Sequence, residues 1–161
     1  MKRVIVIGCP GSGKSTFSRA LRDKTGLALY HLDMLYWNED RTTVERSAFL
    51  ERLSAVLSED EWIIDGNYAS TMEMRMAACD TVFFLDFRTD VCLEGVRERR
   101  GKARDDIPWV ETETDEEFLE FIKSFNCGQR PEIIELLKKY SDKNIVVFSS
   151  RDEADDFLKA L

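Results

Sequence analysis

The feature that most restricts how this chain can fold is a glycine-rich segment, GCPGSGKST, at residues 8–16. It directly follows the β-branched run RVIVI at 3–7, which shows no alternation of polar and apolar residues. Such a run is typical of a strand that is buried on both faces of a parallel sheet. After the segment, Phe17 and Leu21 recur at helical spacing, and Gly26 is suited to end that helix. The order strand, glycine loop, helix is therefore expected here.

The segment matches the pattern G-x-x-x-x-G-K-[ST] at every position, and its strand–loop–helix setting is the one that this phosphate-binding motif requires. Glycines permit tight turns in which several backbone N–H groups face one phosphate. The start of the following helix adds the positive end of its dipole. The motif predicts nucleotide binding by Gly8, Gly11, Ser12, Gly13, Lys14, Ser15 and Thr16.

Three side chains near this loop have specific roles in such a site. The Lys14 ammonium group is expected to reach the β- and γ-phosphates, which makes Lys14 a catalytic candidate. The Ser15 hydroxyl is expected to ligate Mg²⁺, and Asp65, which ends an apolar run, to hold magnesium-bound waters. Because Asp-Gly is also a common turn dipeptide, a structural turn is the alternative for Asp65. ATP and Mg²⁺ are the predicted cofactors; the chain lacks the Asn/Thr-Lys-x-Asp guanine motif, which favours ATP over GTP without deciding it.

Apolar runs that alternate with helical patterns predict the architecture of the rest of the chain. Further strands are expected at 27–32, 61–66, 81–87 and 144–148. This alternation is typical of an α/β fold in which helices cover both sides of a parallel sheet. Ligands of such sheets bind beyond the carboxyl ends of the strands, where the glycine loop, Asp33, Asp65 and Ser149 are all predicted to lie.

Helix starts are indicated by several local signals. Three capping boxes predict helix N-termini, at Thr42-x-x-Glu45, Thr114-x-x-Glu117 and Ser150-x-x-Glu153. Other helices are expected over 68–78, from about Thr89, and around Pro131, which suits a first helical turn.

The composition limits the class of protein. A length of 161 residues fits one domain over 1–161, with room for a hydrophobic core. The net charge of −8 argues against direct nucleic-acid binding, which needs a basic surface. Four scattered cysteines and one histidine predict neither a disulfide framework nor a His/Cys zinc site, so reduced thiols are expected.

No apolar run approaches the ~20 residues that a membrane-spanning helix needs. The N-terminal MKRVIVIG is basic and then apolar, as in a secretion signal, but its apolar part is short and continues into the glycine loop. We interpret it as a buried strand and expect a cytoplasmic protein without membrane partners.

Five segments together resemble a known family. GCPGSGKST, YHLDMLYW, WIIDGNY, DTVFFLDFR and RRGKARDD, in this order, resemble the adenylate-kinase-related proteins labelled topology modulation proteins. These are small P-loop kinases, with nucleoside monophosphate kinases and shikimate kinase as wider relatives. The resemblance covers nearly the whole chain, and HLDMLYW with DGNY is its most specific part.

The resemblance implies a three-layer α/β/α P-loop kinase fold with a five-stranded parallel sheet of order 2-3-1-4-5. It also implies a mobile lid, placed at about 100–115, and phosphoryl transfer from ATP. The chain departs from adenylate kinases after its Asp-Gly pair, where Asn67-Tyr68 replaces a Pro-Arg whose arginine grips the acceptor phosphate. This departure argues against AMP as the acceptor.

Asp33 occupies the position where small-molecule and nucleoside kinases of this class place an acid. Transfer to a phosphate needs no base, whereas a carboxylate assists transfer to a hydroxyl by orienting it and accepting its proton. We therefore predict Asp33 as a catalytic residue, with Tyr30, Tyr36 and Trp37 around the acceptor. The alternative is that Asp33 caps a helix and the aromatic residues belong to the core.

The basic stretch RERRGKARDD at 97–106 is the predicted lid sequence. Arginines of a closing lid neutralise charge on the transferring phosphoryl group, and closure excludes water. Arg100 and Arg104 are the predicted catalytic arginines, and Arg97 is a weaker candidate. Solvated surface charges are the alternative for the whole stretch. Arg130 either returns to the same site or lies on the surface.

Other positions follow from the likeness by location alone. The loop with Ser149, Ser150 and Arg151 is expected near the adenine, although Ser150 is also explained as a helix cap. Asn67, Tyr68 and Arg75 are expected on the acceptor side.

The sequence thus predicts an ATP- and Mg²⁺-dependent phosphotransferase that acts on a small acceptor, namely a nucleoside, a nucleotide or another hydroxyl compound. The alternatives are a nucleotide-dependent regulator linked to DNA topology and a simple NTPase. The sequence fixes neither the acceptor nor the oligomeric state.

Overall fold

The computed structural model describes residues 1–110 and 115–161. Its strands are β1 (Arg3–Gly8), β2 (Leu29–His31), β3 (Trp62–Asp65), β4 (Thr81–Leu85) and β5 (Asn144–Phe148). They form one sheet in the order β2-β3-β1-β4-β5, and every neighbouring pair is parallel. The predicted α/β class and the strand order 2-3-1-4-5 are confirmed.

The helices are α1 (Lys14–Thr25), α2 (Leu32–Tyr36), α3 (Arg46–Leu57), α4 (Ala69–Ala78), α5 (Thr89–Arg99), α6 (Glu116–Ser124), α7 (Gln129–Lys139) and α8 (Arg151–Ala160). Helices separate consecutive strands along the chain, and α8 follows the last strand. Because successive residues of β1 and β3 are buried, helices cover both faces of the sheet, which is the middle of three layers. Within the described ranges, none of these helices has the length and apolarity that crossing a membrane requires.

The core forms where the three central strands meet the helices. The residues of Val4–Ile7 in β1 are fully buried, as are Ile63 and Ile64 in β3. On one side, Phe17 of α1 packs on Phe83 with ring centroids 5.2 Å apart. Burial on both sheet faces explains why these strands lack polar alternation.

Helices lie where they were expected over 68–78, from Thr89 and around Pro131, as α4, α5 and α7. Two of the three capping-box predictions also lie within the described residues. Ser150 does cap α8: its Oγ accepts a hydrogen bond of 3.3 Å from the Glu153 N–H. The Thr42 prediction is wrong, because α3 begins at Arg46 and its N-cap residue is Glu45. The Thr42 hydroxyl is instead used locally, donating to Asp40 at 2.5 Å.

The third predicted capping residue, Thr114, lies outside the described residues. The helix that was expected there, α6, has Asp115 as its N-cap residue. The Asp115 carboxylate accepts from the Glu117 N–H at 2.9 Å, so an acid residue caps this helix.

The second strand is shorter than predicted. It ends at His31, and the apolar Leu32 begins the short helix α2 instead. Leu32 is fully buried against Gly66: a Cβ on Gly66 would lie 2.9 Å from the Cβ of Leu32. This close approach places the first turn of α2 beside the carboxyl end of β3.

Candidate active site

The glycine loop joins β1 to α1 and packs directly on α5. The Ser12 N–H donates to the Cys9 carbonyl at 3.1 Å, which closes the turn. Gly11 has a φ of 83°, and a Cβ added to it would lie 2.0 Å from the carbonyl oxygen of Cys92. Only glycine fits this position without displacing α5.

Asn67 ties this loop to the end of β3. Its side-chain oxygen accepts from the Gly8 N–H at 3.0 Å, and its amide nitrogen donates to the Gly8 carbonyl at 2.6 Å. Both hydrogen-bonding groups of Gly8 are thereby engaged. Asn67 was expected on the acceptor side; it lines the cavity described below, but its amide group is directed at the glycine loop.

Lys14 is held at the carbonyl edge of the same loop. Its Nζ donates to the carbonyls of Gly8 and Cys9 at 2.9 and 3.1 Å. Burial lowers the pKa of Lys14, and the negative charge of Asp65 acts against that effect. The ammonium group therefore lies at the carbonyl edge of the loop, and it is attracted by the carboxylate that the sequence predicts for magnesium.

Ser15 makes a contact that the sequence did not suggest. Its hydroxyl donates to Oδ2 of Asp106 at 2.6 Å, and Arg104 donates to both oxygens of the same carboxylate, at 2.9 and 2.6 Å. Burial acts to raise the pKa of Asp106, but the hydrogen bonds from Arg104 and Ser15 outweigh it and hold the pKa far below its usual range. Asp106 is a site residue that the sequence analysis missed.

Asp65 lies at the end of β3 and is almost fully buried. One of its oxygens, Oδ1, is 2.9 Å from Nδ1 of His31. Burial lowers the pKa of His31, but its hydrogen bond and attraction to Asp65 prevail, so the net change is upward. The second oxygen, Oδ2, is buried and has no hydrogen-bond partner among the described residues.

These oxygens fit a magnesium ion bound with its nucleotide. The Ser15 hydroxyl can ligate the ion, and the unpartnered Oδ2 of Asp65 can accept from one of its waters. Among residues 1–110 and 115–161, no group of three or more His, Cys, Asp or Glu side chains could hold a metal by itself.

Asp33 lies in the first turn of α2 and is directed at the loop after β3. Its Oδ1 accepts from the Tyr68 hydroxyl at 2.5 Å. The N-cap residue of α2 is His31, so the capping role considered for Asp33 is not observed. Burial raises the pKa of Asp33, and the bond from Tyr68 partly offsets this.

The predicted acceptor aromatics separate into different environments. Trp37 lines the cavity and meets Trp109 edge to face, with ring centroids 5.2 Å apart. Tyr36 does not line the cavity; it packs between Phe49 and Tyr68, and Tyr68 is a lining residue. Tyr30 is not among the lining residues, and its hydroxyl donates to Glu59 at 2.9 Å.

The basic stretch supplies four cavity-lining cations, Arg99, Arg100, Lys102 and Arg104. Arg99, which the sequence analysis did not select, lies over the ring of Phe118 at 5.6 Å, and its charge helps to lower the pKa of Lys14. Arg97 is exposed and pairs with Glu94 at 3.5 Å, outside the cavity lining.

Arg75 is the clearest departure from the expected acceptor side. It is fully buried, and its guanidinium group donates to the backbone carbonyls of Gly66, Asn67 and Tyr68. Burial lowers its pKa to about 10. Its role is to shape the loop after β3, and it does not line the cavity.

The remaining candidates are also divided. Arg151 lines the cavity, whereas Ser149 and Ser150 take part in the N-terminal cap of α8. Arg130 forms a two-pronged ion pair with Asp86, at 2.8 and 2.7 Å, and is not a lining residue.

One cavity of about 1060 Å³ brings most of the predicted site together. Its lining includes Lys14, Ser15, Asp33, Asp65, Arg100 and Arg104. Of the predicted lid at about 100–115, residues 111–114 lie outside the described residues; Arg104, Asp106, Ile107 and Trp109 of its segment 100–110 line the cavity, as does Asp115. Ligand pockets commonly measure about 300–1,000 Å³, so this one has room for a nucleotide and a small second molecule.

No family model matches the chain, and no curated protein matches it. Among solved structures, a shikimate kinase from Bacteroides thetaiotaomicron is similar, with a TM-score of 0.59 and 18% sequence identity. The match covers 99% of this chain and 95% of that one. At this identity the likeness concerns the fold. Together with the sheet order, it establishes that the chain has the fold of a small P-loop kinase.

Proposed function

We propose that this protein is an ATP- and Mg²⁺-dependent phosphotransferase that moves the γ-phosphoryl group to a hydroxyl of a small acceptor. Its resemblance to topology modulation proteins supports phosphoryl transfer from ATP. The observation that carries the proposal is that one cavity is lined both by the glycine loop and by the partly buried acid Asp33. A carboxylate in this cavity can orient an acceptor hydroxyl and take its proton, a step that nucleotide binding alone does not need.

The phosphate side of the cavity supports the choice of donor. Backbone N–H groups of the loop and of the start of α1 would bind the phosphates of ATP, and Lys14 lies at the carbonyl edge of the same loop. Ser15 and Asp65 would hold the magnesium ion. When bound, this ion neutralises charge that develops on the phosphate oxygens.

The lid side would supply further positive charge. Arg100 and Arg104 line the cavity from 100–110, and Arg99 lies at the end of α5. Cations placed around a transferring phosphoryl group stabilise its equatorial oxygens. Because the lid segment also covers the cavity, it would exclude water and reduce hydrolysis of ATP.

The acceptor side favours a hydroxyl over a phosphate. The arginine nearest the loop after β3 is Arg75, and its guanidinium group is occupied by backbone carbonyls. Asn67, at the position where adenylate kinases carry proline, is bonded to Gly8. Arg75 would therefore be unavailable to the phosphate of an anionic acceptor, whereas a hydroxyl can donate its proton to the Asp33 carboxylate.

The test is ADP production across a panel of nucleosides, nucleoside monophosphates and small polyols, with wild type and Asp33→Asn measured together. We expect a hydroxyl compound to stimulate ADP release by wild type, and Asp33→Asn to lower that turnover steeply while ATP affinity holds. Glu39→Gln is the matched control, since this exposed acid is near in sequence but does not line the cavity.

Two results would contradict the proposal. Equal turnover by Asp33→Asn with a hydroxyl acceptor would remove the role of the acid. Phosphate release by wild type at the same rate with and without every acceptor would indicate a simple NTPase instead.

A further inference from the structure

The lid segment, residues 100–110, places a carboxylate directly on the serine of the glycine loop. Asp106 and Ser15 are 91 residues apart in the chain, yet the Ser15 hydroxyl donates to Oδ2 of Asp106 at 2.6 Å. Asp106 is only 4% exposed. No sequence motif assigns it a role, and phosphoryl transfer as proposed above does not use it.

The direction of this hydrogen bond is fixed by Arg104. Its Nε and Nη2 donate to the two oxygens of Asp106 at 2.9 and 2.6 Å, as in a two-pronged pair between an arginine and an ionised carboxylate. An ionised carboxylate only accepts hydrogen bonds. The hydroxyl proton of Ser15 therefore points at Asp106.

This direction determines what the serine oxygen can do. A hydroxyl has one proton and two acceptor lone pairs. Because the Ser15 hydroxyl donates its hydrogen bond to Asp106, it cannot donate to a phosphate, and the lone pairs of its oxygen are available to a cation. A carboxylate that accepts a hydrogen bond from a metal-binding side chain, without binding the metal itself, orients that side chain and strengthens its bond to the metal.

The contact depends on the position of the lid segment. Ile107 is buried, Trp109 meets Trp37 at 5.2 Å, and the carbonyl of Val110 accepts from Arg41 at 3.4 Å. The carboxylate of Asp106 reaches Ser15 because the segment is held over the cavity by these contacts. Withdrawal of the segment would remove the acceptor from the serine.

We propose that Asp106 is a positioning residue that turns the Ser15 hydroxyl towards the magnesium ion of the bound nucleotide and so links metal–nucleotide affinity to closure of the lid segment. This inference rests on the proposed nucleotide site but not on the identity of the acceptor. By thermodynamic reciprocity, Mg²⁺ with ATP should favour the closed segment by the same factor as closure favours binding.

A different role would be purely structural, with the Asp106–Arg104 pair holding the segment closed whatever the ligand. The two roles differ in their dependence on metal. A structural latch should affect free ATP and Mg²⁺-ATP alike, whereas positioning of Ser15 should matter only when the cation is present.

The experiment is calorimetric measurement of ATP binding to the full chain, with Mg²⁺ and again with EDTA. For Asp106→Asn we expect Mg²⁺-ATP affinity to fall by about tenfold to a hundredfold, the usual effect of losing a partner behind a metal ligand. Affinity for ATP in EDTA should change by less than about twofold, because no cation is then bound by Ser15. Asp105→Asn, at the exposed neighbouring acid, should match wild type in both conditions.

A second variant tests the same contact from the other partner. Ser15→Ala should show the same metal-specific loss, and Asp106→Asn added to Ser15→Ala should lower Mg²⁺-ATP affinity little further. This variant keeps the test valid if Asp106→Asn proves unstable, which circular dichroism and thermal unfolding would show.

Equal losses for Asp106→Asn in Mg²⁺ and in EDTA would overturn the inference in favour of the structural latch. Additive losses in the double variant would overturn it as well. Wild type that binds no ATP in either condition would contradict the proposed function itself, and this inference with it. Wild type that binds Mg²⁺-ATP without transferring phosphate to any acceptor would contradict the phosphotransferase proposal alone.

Discussion

Replacing Gly11 with alanine should damage the glycine loop by more than backbone strain. The φ of Gly11 is 83°, and L residues in the left-handed region lose about 1–2 kcal/mol. A Cβ at Gly11 would also lie 2.0 Å from the carbonyl oxygen of Cys92, so the loop and α5 would have to separate. Since overpacking typically destabilises by a further ~1–3 kcal/mol, the expected loss in free energy of unfolding totals ~2–5 kcal/mol.

Gly26 provides the matched control. Its φ is 74°, but a Cβ there would meet no heavy atom within 4 Å among the described residues. Gly26→Ala should therefore lower the free energy of unfolding by the backbone strain alone, about 1–2 kcal/mol. For a chain of this size, 1 kcal/mol corresponds to roughly 2–4 °C in Tm.

Urea unfolding of both variants, followed by circular dichroism, measures the difference, and calorimetry measures ATP affinity. Gly11→Ala should be the less stable variant and should bind ATP more weakly than wild type. Gly26→Ala should retain wild-type ATP affinity, since Gly26 ends α1 away from the cavity. Equal destabilisation by the two substitutions would refute the packing of the loop on α5.

Two further predictions concern the loop after β3. Tyr68→Phe removes the hydrogen bond that offsets the burial of Asp33, so the pKa of Asp33 should rise further. Because the base must be ionised, the acid limb of the kcat/KM profile should move to higher pH; an unmoved limb would mean that Asp33 is not the titrating group. Arg75→Met leaves three backbone carbonyls without their donor, and urea unfolding should show a loss of at least about 3 kcal/mol. Arg97→Met, at an exposed arginine, should stay within about 0.5 kcal/mol, and similar losses for both would contradict the buried role of Arg75.

The parts of the fold that the sequence predicted correctly are those encoded locally. The central strands are continuous apolar runs, and the glycine loop is a contiguous motif, so both could be located without knowledge of the rest of the chain. The Ser150 cap is also local, because its partner Glu153 is three residues away. The sheet order came from the likeness to a family, and the structure confirmed it.

The errors arise where distant or competing contacts decide. Thr42 has the right spacing for a capping box, but Asp40, two residues earlier, engages its hydroxyl. Arg75 was expected on the acceptor side from its location in the chain. Its burial was not foreseen, because the carbonyls that bind its guanidinium group come together only in the folded loop. The contact between Ser15 and Asp106 spans 91 residues and depends on where the lid segment lies, so no pattern in the sequence could indicate it.

The most direct test of the central claim is a crystal structure with Mg²⁺ and a non-hydrolysable ATP analogue. We predict the triphosphate along the glycine loop, the magnesium ion on the Ser15 oxygen, and the γ-phosphate facing Asp33 across the cavity. A nucleotide bound elsewhere, or a γ-phosphate directed away from Asp33, would contradict the account.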